Sequence, residues 1–212
     1  MTAYILIAII AYAIGSINFS VIISRKVAGF DVREKGSKNA GTTNVLRTVG
    51  KKAALITLVC DILKGVIAIL IAFFAGKIAK EANPAILVQI AAILVVVGHT
   101  FPIFFEFKGG KGVATSLGII IIINWQIGLI CLVFALALMA ITRMVSLGSV
   151  SAAVLFPVLT LFIREHYIVG GNYIIFGILL AALVVFNHRA NIKRILEGKE
   201  NKLNFNKREG EV

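Results

Sequence analysis

Acidic residues are scarce in this chain. Ten Asp and Glu face 22 Lys and Arg over 212 residues, and Asp31 and Asp61 are the only aspartates. A metal-dependent phosphotransferase built on clustered carboxylates lacks its ligands here, so no metal site is expected. Cysteine is equally sparse: Cys60 and Cys131 lie inside apolar runs with no CxxC pair, which argues against a disulfide and against a thiolate metal site. The first apolar run, Ala3 to Ser24, has no basic leader and no small-residue cleavage site. About 33 Å long as a helix, it reads as a retained membrane span and not as a signal peptide.

What abounds is apolar. Hydrophobic residues make up 59% of the chain, and the mean hydropathy is +0.96. No soluble core absorbs that much, so an all-α integral membrane protein is expected, as one polytopic domain over residues 1–212. A net charge of +12 would suit nucleic acid in a soluble protein. Here the basic residues flank apolar spans, which points to membrane lipid and anionic substrates and away from nucleic acid.

Spans are expected at about Ala3 to Ser24, Ala53 to Ala75, Pro84 to Val97, Ser149 to Ile163 and Tyr173 to Phe186, with Val113 to Ile141 left to decide the count. As one helix that last run would be about 43 Å long, too long for a hydrocarbon core of ~30 Å. Asn124-Trp125-Gln126 interrupts it, and Trp favours the membrane interface. A turn at Trp125 gives two short helices and seven spans in all. That arrangement puts 18 Lys and Arg on one side against Lys77, Lys80 and Arg164 on the other, with Lys64 inside the second span. The positive-inside rule then sets the N-terminus outside and the C-terminus in the cytoplasm; six spans would place seven tail charges on the wrong side. Ser16, Ser20 and Ser24 recur every four residues, a close-packing stripe. Asp61 and Lys64, three apart in the second span, read as a structural ion pair.

Three polar segments then share the cytoplasmic face. The central one, residues 98–115, reads GHTFPIFFEFKGGKGVAT. Its glycines allow backbone N–H groups to crowd round a phosphate, with Lys108 and Lys111 as counter-charge. The P-loop pattern fails at both ends, because position 105 is Phe and position 112 is Gly, so no nucleotide is inferred. The same stretch also suits a surface turn whose lysines snorkel to head groups. The first segment, GSKNAGTTNVLR at 36–47, is rich in donors to oxyanions and runs into a helix start, or else it is a solvated loop with Asn44 as an N-cap. In the last, HRANIKRILEGKE at 188–200, His188, Asn191 and Arg194 fall on one helical face, which suits acyl transfer to a phosphorylated alcohol or a basic helix lying on lipid.

In this order and between apolar spans, the three segments resemble the signature segments of the bacterial acyl-phosphate:glycerol-3-phosphate acyltransferase family. The resemblance covers essentially the whole chain. It implies a seven-span inner-membrane enzyme, with its active site facing the cytoplasm, that moves an acyl group from acyl phosphate to the 1-hydroxyl of sn-glycerol 3-phosphate and yields lysophosphatidic acid. An acyl phosphate is already an activated anhydride, so no cofactor, metal or covalent nucleophile is required, and the task is to position two anionic substrates. His99, His166 and His188 are not followed four residues later by Asp, so the soluble-donor acyltransferase signature is missing.

On this reading His188, Asn191, Ser37 and Arg47 are the residues on which the reaction depends. Ser37, Arg47, Lys111 and Ser149 hold phosphate groups, while Asn39, Thr43, Lys108 and the backbone at Gly109, Gly110 and Gly112 shape the glycerol phosphate pocket. His188 and Asn191 orient the attacking hydroxyl or the carbonyl oxygen, and His99 is a base or an orienting group. The base is a protein side chain or the acyl phosphate's own phosphate. Glu200 ties down the tail by pairing with a neighbouring base, and His166 is uninvolved. A transporter of a phosphorylated solute is the competing class, but it favours a mid-membrane site and internal repeats, and neither is evident. A lipid-gathering scaffold would explain the lysines but not His188 and Asn191.

Overall fold

The computed structural model describes residues 1–79, 82–163 and 173–203. Lys80, Arg164, His166 and the tail charges Lys207 and Arg208 lie outside the described residues. All the regular structure described is helical: α1 (Thr2–Gly15), α2 (Phe19–Ala28), α3 (Thr42–Thr48), α4 (Lys51–Ile78), α5 (Pro84–Thr100), α6 (Val113–Ile123), α7 (Trp125–Thr142), α8 (Val145–Phe162), α9 (Ile174–Asn187) and α10 (Arg189–Leu196), with short 3₁₀ turns at Val32–Glu34 and Ile103–Phe105.

Among the described residues five apolar stretches are long enough to cross a membrane: Thr2–Ala28 taken through its break, Lys51–Ile78, Pro84–Phe105, Trp125–Thr142 and Val145–Phe162. The pair α9 and α10, bent by 64°, makes a sixth if it is counted as one span. Apolar side chains point outward all round, among them Ile9, Val133 and Phe162 at 60%, 64% and 77% exposure. Water would not tolerate such a surface and lipid favours it, so the chain is a multi-pass membrane protein.

The first apolar run is two helices, where one was expected. After Gly15 the chain leaves helical geometry and Asn18, in extended conformation, restarts it by accepting a hydrogen bond from Val21 N at 3.2 Å. The break frees the carbonyls of Gly15 and Ile17, and Lys64 Nζ from α4 donates to them at 3.1 and 2.9 Å. Ser16, Ser20 and Ser24 are fully buried.

The long run also breaks, one residue before Trp125. Asn124 ends α6 and caps α7 by accepting from Ile127 N at 3.1 Å. Only α6 is short, 11 residues and about 16 Å. With 18 residues α7 is a full span, contrary to the expected pair of short helices, because the interruption falls nearer the start of the run. α8 begins at Val145, four residues earlier than expected, and so carries Ser149 inside its second turn.

Glycine lets the helices cross closely. A Cβ on Gly15 of α1 would overlap Val95 O of α5, one on Gly98 of α5 would overlap Tyr12 O of α1, and Gly118 of α6 lies in the same way against Ile62 O of α4. Without water to drive association, this backbone proximity supplies the dispersion that holds the bundle. Gly118→Val is therefore expected to destabilise by about 1–3 kcal/mol through overpacking, read as a lower unfolding temperature in detergent. Gly177→Ala, whose Cβ would meet its neighbours at an ordinary 3.4 Å, should change it little.

Candidate functional site

The three polar segments converge on one cavity of about 760 Å³. Ser37, Asn39, Thr43 and Arg47 reach it from the first loop and α3; His99, Lys108, Gly109, Gly110, Lys111 and Gly112 from the end of α5 and the loop after it; Ser149 from α8; and His188, Asn191 and Glu200 from the last segment. Asp61 also lines it. Lys64 does not: it faces away, towards the broken end of α1.

Loop 36–47 is organised from within by Asn44. Buried inside α3, its amide donates to Val32 O, Lys35 O and Asn39 O at 2.8, 3.0 and 3.1 Å, while its Oδ1 accepts from Ser37 N at 2.9 Å. Asn44 is thus a loop clamp and not the N-cap considered above; that place belongs to Gly41. Arg33 joins this loop to the central one by donating to Phe105 O at 2.8 Å. Its other face pairs with Asp31. Burial alone would raise the Asp31 carboxyl, but the bonds from Arg33 and Arg25 outweigh it and hold the group at about 2.

The central glycines act differently from the expectation. Gly109 N donates to Thr100 O and Gly110 N to His99 O, both at 3.0 Å, so these two N–H groups are bound to the end of α5 and do not face a ligand. Glycine is required there because a Cβ on Gly109 would strike His99 O, and one on Gly110 would strike the His99 ring and Ala40 O. Gly112, at φ +81°, turns the chain into α6. Lys108 is 73% exposed and pairs with Glu106 at the rim. Lys111 points inward instead, where its ammonium donates to Asn191 Oδ1.

Behind Lys111 stands a network. Asn191 Nδ2 donates to Glu200 Oε1 at 2.7 Å, Ser146 Oγ donates to the same oxygen at 2.9 Å, and Arg194 Nε donates to Glu200 Oε2 at 2.9 Å. The segment carrying Glu200 folds back along the rim, where Leu203 N donates to Arg143 O and Asn201 O accepts from Arg47. Burial works to raise the Glu200 carboxyl, yet these donors bring it below its ordinary value. Burial, aided by the positive charges of Arg194 and Arg47, lowers Lys111 to about 8.

At the 64° bend, His188 closes α9 and opens α10. Its Nδ1 lies 2.8 Å from Val184 O. Since only a protonated nitrogen bonds a carbonyl, the proton sits on Nδ1 and Nε2 is left as an acceptor. Ser149 lines the cavity, and its Oγ donates to Val145 O at 2.9 Å. Reading the sequence missed Asn187, which donates to Thr100 Oγ1 at 3.0 Å, and Ser146. Their signals were present: Asn187 directly precedes His188, and Ser146 lies one turn before Ser149.

Past the polar mouth the cavity wall turns apolar. Leu117 and Ile120 of α6, Cys131, Ala135 and Met139 of α7, and Ala152 of α8 line it. Among the described residues no group of three His, Cys, Asp or Glu is placed to hold a metal.

A cationic pocket that continues into an apolar recess inside a membrane protein fits an amphiphile with an anionic head, and so defines a lipid-handling membrane protein. Residues 5–198 match the family model described as "Glycerol-3-phosphate acyltransferase". Relatives of that name from Clostridioides difficile (strain 630) and Thermoanaerobacter sp. (strain X514) are each 44% identical, covering 95% and 94% of this chain and 96% and 95% of their own. Crystal structures of PlsY, an integral membrane glycerol 3-phosphate acyltransferase, superpose with TM-scores of 0.82 for its glycerol 3-phosphate form and 0.80 for its lysophosphatidic acid form. Their identities to this chain are 34% and 32%, over 95% of it and 96% and 95% of the PlsY chains. The chain belongs to the glycerol-3-phosphate acyltransferase family, and it is an acyltransferase.

Proposed function

We propose that this enzyme transfers a fatty acyl group from acyl phosphate to the 1-hydroxyl of sn-glycerol 3-phosphate, releasing phosphate and lysophosphatidic acid. The observation that carries the reading is the continuity of one cavity from Arg47, Lys111 and Arg194 at its mouth to the apolar faces of α6, α7 and α8. The cations suit two phosphates, and the recess suits an acyl chain.

Lys111, Arg47, Ser37 and Ser149 hold the phosphates, and Asn39, Thr43 and Lys108 complete the acceptor's pocket. Bringing the two anions together is the main obstacle, and the fixed cations offset their repulsion. The hydroxyl oxygen attacks the acyl carbonyl, the carbonyl-to-phosphate C–O bond breaks, and the hydroxyl proton leaves with the departing phosphate. His188 Nε2 accepts a hydrogen bond from the hydroxyl and orients it, while Asn191 is fixed by Lys111 and Glu200 beside it.

The chain acts as one domain with seven spans, in which α6 and the α9–α10 pair join the five long stretches. Its N-terminus lies outside, and the site faces the cytoplasm from the bacterial inner membrane. The grouping of Lys38, Arg47, Lys108, Lys111, Arg189 and Arg194 in the lining of the cavity supports this orientation.

Purified protein in lipid, given acyl phosphate and glycerol 3-phosphate without added metal, should release phosphate and form lysophosphatidate, while acyl-CoA gives none. Lack of turnover with acyl phosphate in folded protein would overturn the assignment of the donor. His188→Ala is expected to lower kcat by about tenfold with the shape of the pH profile retained; a loss of ~10²–10⁴-fold would instead make His188 the general base. Because Lys111 titrates near 8, its cation is present below that pH and lost above it. kcat/KM for glycerol 3-phosphate should therefore fall as pH rises through about 8, and Lys111→Arg should remove that limb; a flat wild-type profile to higher pH would overturn the assignment. For the orientation, a membrane-impermeant thiol reagent should label Lys77→Cys in intact cells and Lys199→Cys only after lysis.

A further inference from the structure

Beneath the glycine loop lies a charged cluster for which the reaction above has no use. Asp61 and Lys64 of α4 are 2% and 3% exposed, and His99 of α5 is 6% exposed. Asp61 Oδ1 stands 3.0 Å from Lys64 Nζ and 3.6 Å from His99 Nδ1. Ion pairs at this depth are costly to build, and an i,i+3 pair needs no third member to neutralise itself. Lys64 is committed elsewhere as well, to the carbonyls of Gly15 and Ile17. Its contact with Asp61 is close without the alignment of a hydrogen bond, so Oδ1 keeps acceptor capacity on the side where His99 lies.

A carboxylate facing Nδ1 favours the tautomer with its proton there, and the Thr115 hydroxyl, 3.4 Å from the same nitrogen, is compatible with it because a hydroxyl can accept. The Nε2 edge is then turned to the loop, where it lies so close to Gly110 that no Cβ fits between them. The next residue is Lys111, the half-buried cation of the mouth. The loop is further bonded to the carbonyl of His99 itself.

We propose that Asp61 and His99 are positioning residues for the acceptor's phosphate: Asp61 fixes the ring of His99, and the Nε2 edge of that ring sets the height of Gly110 and hence of Lys111. Lys64 balances the charge and closes the broken end of α1. This rests on the acyltransferase reading for its kinetic test but not for its binding test. A structural ion pair alone would affect folding and every kinetic constant together, whereas a strut under one subsite affects the binding of one substrate.

The experiment compares wild type, His99→Gln, His99→Asn and Asp61→Asn/Lys64→Gln, with unfolding temperatures measured for each. Gln places an amide where Nε2 stood, whereas Asn reaches only to the position of Nδ1. His99→Asn and the neutral double variant are expected to raise KM for glycerol 3-phosphate about tenfold or more, the size of effect a small misplacement produces, with the acyl phosphate KM and kcat within about threefold. His99→Gln should recover most of the acceptor affinity. Calorimetric titration with glycerol 3-phosphate alone gives the same comparison without turnover, so an inactive wild type would count against the reaction and leave this inference decidable. Folded variants with unchanged acceptor affinity would overturn it, as would equal losses in all constants that follow a fall in unfolding temperature. Should the double variant fail to fold, the two His99 variants still decide.

Discussion

A backbone carbonyl released from a helix inside a bilayer has no water to turn to, and each such group left unpaired costs several kcal/mol. This chain breaks its apolar runs repeatedly and satisfies each break from within. Lys64 closes the gap after Gly15. The N–H groups of Gly109 and Gly110 take up carbonyls at the end of α5. Asn124 ends one helix and caps the next, and at the last bend His188 Nδ1 returns to Val184 O. The breaks after α5 and α9 carry Lys111, His188 and Asn191 into the cavity, because there the chain departs from a cylinder and brings side chains from different helices into one space.

The electrostatics follow from the same economy. Arg47, Lys111 and Arg194 gather round a single carboxylate, Glu200, and so the mouth holds more positive than negative charge. Burial makes that surplus unfavourable, which is visible in the lowered proton affinity of Lys111. An arriving phosphate relieves it. The site is poised for anions by the strain of its own repulsion, and no bound metal need be invoked for that attraction.

Hydropathy made the helical membrane class legible, and the polar interruption near Trp125 announced the break that the structure places at Asn124. The three polar segments were legible as one site because their residue types, donors to oxyanions and fixed cations, share one chemistry. Other features were hidden for physical reasons. The break after Gly15 has no proline, and Ser16 looks like a packing residue until Lys64, far along the chain, is seen to donate to the freed carbonyls. Glycine at 109 and 110 has two uses, presenting N–H groups or admitting a neighbour, and sequence cannot distinguish them; here it admits the His99 ring and backbone. Asn44 was misplaced by one role because capping and clamping call for the same side chain. The expected pairing of Glu200 with a base is present as its bond to Arg194, but its service to Asn191 and Ser146 as well depends on a fold-back that no local pattern announces.

That fold-back has a bearing on how the enzyme comes into being. Glu200 and Asn201 line the cavity from beyond α10, so every apolar helix can be threaded into the bilayer before the residues that close the mouth have left the ribosome. Until the last polar segment lies over the rim, the carboxylate that takes the bonds of Asn191, Ser146 and Arg194 is missing from the cavity, and its cations stand unbalanced.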